Sequence, residues 1–246
     1  MDPMPRMIWR GVLIAGCSVI GSLSVPLNAR HTTRLLPKAW ERQECNEQTV
    51  SFTRHGVTLL EMNDYEGAGQ EFLRALDLCP GNCAATVNLG IARYYARNFR
   101  AARRSLLRAL ETRADRNQVH FLLGLVARKE YKLEEAWRHF KCVKDADPRD
   151  AATNYNLGMI QLGRRQYLEA ADFFRSALEA EPENRGSTYG LAIALDRAGK
   201  TLEGSMWMKK FKTLKPANVS GHLMGEGDMQ YGQEGRLARA VLKCGP

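Results

Sequence analysis

The side chains that could do chemistry are few, and their spacing works against most of it. The chain holds Cys17, Cys45, Cys79, Cys83, Cys142 and Cys244, and the histidines His31, His55, His120, His139 and His222. Zinc sites draw on ligand pairs at short fixed spacings. Cys79-x3-Cys83 is one close pair, but no second pair accompanies it and the histidines are scattered. No metal is expected. The glycines from Gly221 to Gly235 follow no strand and match neither nucleotide-binding fingerprint. No nucleophile stands in register with a base. We therefore expect no catalytic residues, no cofactor and no enzymatic activity.

What the sequence does have is rhythm. In residues 154–184, Gly158 is followed by Ala170, Ala177 and Pro182. Stepping back by 34 gives Gly124, Ala136, Val143 and Pro148, then Gly90, Ala102, Ala109 and Ala114, then Gly56, Ala68, Ala75 and Pro80. Stepping forward gives Ala192, Gly204, Phe211 and Pro216. Five units, 49–82, 83–116, 117–150, 151–184 and 185–218, abut without a gap. A 34-residue period with this small-residue skeleton resembles the tetratricopeptide repeat. The resemblance implies an all-α fold, a right-handed superhelical solenoid of antiparallel helix pairs.

Packing explains the pattern. The Gly or Ala at the eighth position of each unit is expected to face the Ala at the twentieth, letting two helices approach to about 8–10 Å. Leu89, Leu123, Leu157 and Leu191 at the seventh position, and Phe72, Leu106, Phe140 and Phe174 at the twenty-fourth, fill the space left. Proline at the thirty-second ends the second helix. One hairpin cannot bury its apolar face alone, so stability comes from stacking.

An apolar fraction of 44% fits a folded chain. The net charge of +9 is uneven. In the second unit eight arginines stand against Glu111 and Asp115, and the fifth unit adds Lys209, Lys210, Lys212 and Lys215, while the first and fourth are acidic. A nucleic-acid groove needs a continuous basic stripe with interleaved aromatics. Units of alternating sign read as a solvated outer face, and no nucleic-acid partner is expected.

Residues 1–29 combine Arg6 and Arg10, an uncharged run from Gly11 to Ala29, and a small residue before Arg30. This is the pattern of a secretory signal peptide, which makes the chain exported, periplasmic or secreted. Its strongly apolar part is short of the ~20 residues a spanning helix needs. An N-terminal membrane anchor, lipidation at Cys17 and an organelle transit peptide are the alternatives. Residues 30–48 read as a linker and lead-in helix. Residues 219–246 read as a degenerate sixth unit capping the stack, with Ala238 at its twentieth position.

The hairpin geometry implied by the resemblance places Cys45, Cys79 and Cys83 at one edge of the solenoid. In an oxidising compartment one disulfide, Cys45 to Cys79 or Cys83, is expected. Cys142 falls in mid-helix and reads as core. His55 occupies a core-type position and reads as a hydrogen-bonded structural histidine.

In this family the first helix of each unit lines the concave face. Carried over by position, the fifth column reads Thr53, Val87, Phe121, Tyr155 and Tyr189, and the ninth Val57, Ile91, Leu125, Met159 and Ile193. Asn88 and Asn156 stand at the sixth, Tyr94 and Tyr95 at the twelfth and thirteenth. Asn88, Tyr94, Tyr95, Phe121, Tyr155, Asn156 and Tyr189 are the candidate peptide-binding residues, offering apolar anchors and amides for a ligand backbone. Gln118 and Leu122 stand where the carboxylate clamp of chaperone-type relatives has Lys and Arg, so that clamp is not expected. The expected function is a scaffold or adaptor that binds a peptide or helix of a partner protein, in an exported or envelope assembly. The alternative is a non-catalytic accessory or regulatory subunit of an enzyme complex.

Overall fold

The second helix of every unit starts 34 residues after the last, and the reason lies in the turn before it. The computed structural model describes residues 45–214, and among them are ten helices and no strand. They form five hairpins: α1 (Glu47–Glu61) with α2 (Tyr65–Leu78), α3 (Cys83–Tyr95) with α4 (Phe99–Ala109), α5 (Arg116–Lys129) with α6 (Leu133–Ala146), α7 (Ala151–Gly163) with α8 (Tyr167–Ala180), and α9 (Arg185–Arg197) with α10 (Thr201–Thr213). Each helix packs on the next, within and between hairpins. The leader, the linker through residue 44 and the degenerate cap lie outside the described residues.

Local sequence sets both ends of the odd-numbered helices. Asn46, Asn82, Asp115, Asp150 and Asn184 stand at their starts, each accepting a hydrogen bond from a first-turn backbone N–H. At their far ends the chain turns through a left-handed residue at the same place in every unit. These are Asn63, Arg97, Tyr131, Arg165 and Gly199, with φ of 62°, 59°, 59°, 63° and 81°. One residue further on, the N–H of Asp64, Asn98, Lys132, Gln166 and Lys200 donates to the carbonyl five residues back, at 2.8–2.9 Å. This is the Schellman closure of a helix end, which requires the left-handed residue.

The small residues act differently from the sequence expectation. A methyl group on Gly56 would sit 2.6 Å from Phe72, on Gly90 2.6 Å from Leu106, on Gly124 2.7 Å from Phe140 and on Gly158 2.8 Å from Phe174. The eighth position therefore makes room for the large side chain at the twenty-fourth, rather than only for the alanine at the twentieth. In the fifth unit the roles shift. Ala192 takes the eighth place, and a methyl on Gly204 at the twentieth would lie 3.0 Å from the Ala192 carbonyl oxygen and the Asp196 nitrogen. Phe72, Leu106, Phe140 and Phe174 are wholly buried, as are Leu123, Leu157 and Leu191.

Two substitutions test this account. Gly124→Ala should lower stability by about 2 kcal/mol in urea denaturation, because the Phe140 ring has no room to retreat. Tyr131 is 90% exposed and held left-handed. Tyr131→Gly should therefore raise stability by about 1 kcal/mol, whereas Tyr131→Ala should not.

Candidate interaction surface

The fifth-column aromatics turn out to fill their own hairpins. Phe121 meets Phe140 edge-on with centroids 5.5 Å apart, and Tyr155 lies 6.0 Å from Phe174. Burial pushes the Tyr155 phenol above its ordinary pKa. Asn156 is buried and donates from Nδ2 to the Ala152 carbonyl at 2.8 Å. Asn88 is fully buried, and Tyr94 packs between Tyr95 and Phe99. So Asn88, Tyr94, Phe121, Tyr155 and Asn156 are core rather than groove lining. A ring at the fifth position is long enough to reach the second helix, and it does so. Tyr95 is half-buried and stacks on Tyr65 at 5.5 Å. Tyr189 remains 42% exposed, its ring 5.1 Å from Phe211, over which the Arg185 guanidinium lies at 4.1 Å.

The ninth column divides in the same way. Ile91 and Leu125 are buried, Val57 and Ile193 half-buried, and Met159 is exposed. On α7 every residue from Ala151 to Gln161 is buried except Met159. The inner face thus offers accessible apolar groups at Met159, Ile193 and Tyr189, on neighbouring helices α7 and α9.

A disulfide joins Cys45 to Cys79, across 34 residues of chain. Cys83 and Cys142 are disulfide-bonded as well, and no described cysteine is a free thiol. Cys142 is half-buried, not core. His55 is largely exposed, with Nδ1 3.4 Å from Glu71 Oε2, so it is no core histidine either.

One polar group was hidden in the sequence by a separation of 19 residues. His120 on α5 and His139 on α6 face each other with Nδ1 atoms 3.1 Å apart. Glu135 lies 3.8 Å from the far nitrogen of His139, and Arg103 reaches from α4 to pair with both Glu130 and Glu135. Burial first, then His120, with Arg103 and Arg138 acting the same way, drive the His139 pKa down to about 4 against the pull of Glu135. Burial and Arg116 lower that of His120. Among the described residues, no group of three or more His, Cys, Asp or Glu side chains is placed to hold a metal ion. No described helix is long and apolar enough to cross a membrane.

Ten helices among the described residues, paired in a 34-residue register, form a tetratricopeptide-repeat fold. The family model for this repeat matches residues 87–151, 138–185 and 155–203. Among curated proteins, the human protein O-mannosyl-transferase TMTC3 is 25% identical over 198 residues, which cover 79% of this chain and 21% of that protein. The anaphase-promoting complex subunit CDC16 of Saccharomyces cerevisiae is 26% identical over 148 residues, or 57% of this chain and 18% of that one. The chain thus spans about a fifth of the curated relatives it matches. Among solved structures, MamA from Desulfovibrio magneticus RS-1 superposes with a TM-score of 0.64 at 18% identity, covering 72% of this chain and all of that one. YrrB, described as a tetratricopeptide-repeat protein with an unusual peptide-binding site, gives 0.56 at 16% identity over 70% of this chain and 88% of its own. At such identities the likeness is one of fold.

The histidine pair makes stability depend on pH. The folded His139 pKa lies below the ordinary 6.5, so below that value the unfolded chain binds the proton more tightly. Stability is complete above pH 6.5 and falls as the pH drops towards 4, by up to about 3 kcal/mol. Urea melts of His139→Gln across this range should show a flatter acid limb than those of the wild type.

Proposed function

We propose that this chain is a protein-interaction scaffold that seats a peptide or helix of a partner on the inner face of its fourth and fifth hairpins. The observation that carries this reading is Met159, the one exposed side chain on an otherwise buried stretch of α7. Unbranched, polarisable methionine suits an adaptable contact, and Ile193 and Tyr189 on α9 extend the apolar surface. The accessible site is thus shorter than the groove from Asn88 to Tyr189 expected from sequence. The Cys45–Cys79 disulfide supports an oxidising compartment, and with it the export reading of residues 1–29.

A second reading, an accessory subunit whose partner carries the chemistry, draws support from the relatives. One is a subunit of a large complex and the other a transferase of which this chain matches about a fifth.

Affinity purification of the full chain from soluble and membrane fractions, followed by mass identification, tests the proposal. The recovered partner segment should bind Met159→Ala and Tyr189→Ala about 1–3 kcal/mol more weakly than the wild type, with helical circular dichroism unchanged. Equal binding by both variants rejects the inner-face site. A co-purified enzyme whose rate changes on addition of the chain favours the accessory reading.

A further inference from the structure

The first helices of the second to fifth hairpins are almost free of acid. Across α3, α5, α7 and α9 the cations are Arg93, Arg116, Arg128, Lys129, Arg185 and Arg197, and the carboxylate is Asp196. No charged side chain stands on α7 anywhere from Ala151 to Gly163. Several of the cations are already engaged or balanced. Arg93 donates to Ser105, Arg185 lies over Phe211 and donates to the Leu214 carbonyl, and Arg197 adjoins Asp196. Arg116 stands at the start of α5, at the opposite end of that helix from Arg128.

Arg128 is different. It is half-buried and forms no hydrogen bond or ion pair among the described residues. It follows Leu125 by three residues and Phe121 by seven, the register that puts all three on one face of α5. Burial raises the pKa of the Tyr155 phenol on α7, and the charge of Arg128 works against that rise, so the two groups lie near each other. One turn beyond Tyr155 on the same face of α7 is Met159, the exposed residue of the inner-face site. The next acid along the chain, Glu130, is held by Arg103 and Lys132. The Arg128 guanidinium has therefore given up part of its water without gaining an opposite charge, a cost that an incoming anion removes. At the corresponding depth α7 leaves room. Where the third and fifth units have Lys129 and Arg197, the fourth has Gly163, exposed and with open space where a Cβ would be.

We propose that the partner segment on the inner face carries an acidic side chain, Asp or Glu, that pairs with Arg128 while its apolar side chains rest on Met159 and Ile193. This rests on the inner-face reading given above, extends that site to α5 of the third hairpin and adds the chemistry of the partner. A neutral segment would leave the guanidinium half-desolvated and unpaired, and a basic one would meet it with like charge. The charge-free α7 supplies the apolar floor and nothing that competes for the cation.

The test selects phage-displayed random peptides, fused at their C-termini and so without a free terminal carboxylate, on the full chain and on Arg128→Met. The wild type should enrich apolar residues with an Asp or Glu at a fixed spacing, and Arg128→Met the apolar residues alone. A selected peptide is then made with a C-terminal amide and a fluorescein label and read by anisotropy. It should bind the wild type about tenfold more tightly than its counterpart with Gln for Glu or Asn for Asp. Arg128→Met should bind the two equally, and Met159→Ala should weaken both by the same factor. Helical circular dichroism and the melting temperature verify folding, and Arg128→Gln replaces Arg128→Met if the latter does not fold. Apolar peptides that Met159→Ala weakens but that show no acidic preference overturn this inference and leave the inner-face site standing. Peptides that Met159→Ala leaves unaffected, or no selected peptide at all, sink the inner-face reading and this inference with it. An acidic preference that survives the loss of Arg128, or tighter binding of a free C-terminal carboxylate than of the acidic side chain, also overturns it.

Discussion

The close approach of a glycine to a large buried side chain, once in each of the first four hairpins, is the constraint on which the rest of this structure depends. With Cβ absent at Gly56, Gly124 and Gly158, the rings of Phe72, Phe140 and Phe174 lie directly against the first helix. The ring then becomes a platform for the next unit. Phe174 shows this most clearly, caught between Gly158 of its own hairpin and Gly190 of the following one. One side chain thereby closes a hairpin and sets the separation to its neighbour. Errors at such a site propagate, because in a stacked array every unit takes its position from the last. The 34-residue period is the sequence trace of that geometric requirement.

The fold was legible because its determinants are local and repeated. Glycine, alanine and leucine at fixed offsets announce helix pairs, and a single slip would have destroyed the register. The turn was less legible. Asn63 and Gly199 are natural left-handed residues, but Arg97, Tyr131 and Arg165 are not, and nothing in their chemistry marks them. They are left-handed because the Schellman closure between two fixed helices demands it, a requirement of the tertiary structure rather than of the residue. The second helices nevertheless begin at Tyr65, Phe99, Leu133, Tyr167 and Thr201, each 34 after the last.

The candidate site was legible only in part. Position in a repeat tells which side of a helix a residue occupies, but not whether its side chain is long enough to reach back into the hairpin. Phe121 and Tyr155 are long enough, and they pack on Phe140 and Phe174. Met159, assigned to the same face, stays outside. His120 and His139 were read as scattered because they are distant in sequence. The hairpin brings the fourth position of one helix beside the twenty-third of the unit, a relation that the repeat register carries and a search for short metal motifs does not.

Net charge is the least transferable of the sequence-level quantities, and the reason is visible in where the arginines go. The second unit has the largest basic excess, yet two of its arginines reach across to neighbouring units and a third bonds within its own hairpin. Arg103 pairs with Glu130 and Glu135 of the third unit, Arg108 donates to the Pro80 carbonyl, and Arg93 donates to Ser105. The bonds of Arg103 and Arg108 tie hairpins together, and the pairing of Arg103 with two carboxylates leaves less free charge than the count suggests. The fourth unit is acidic overall, but its carboxylates are partly held by internal bonds, with Asp172 on Arg175 and Glu169 on Gln161. Arg165 in the same unit, and Arg197 and Lys200 in the next, are left facing solvent beside exposed leucines. A surface potential therefore follows from which charges are already engaged rather than from the count alone.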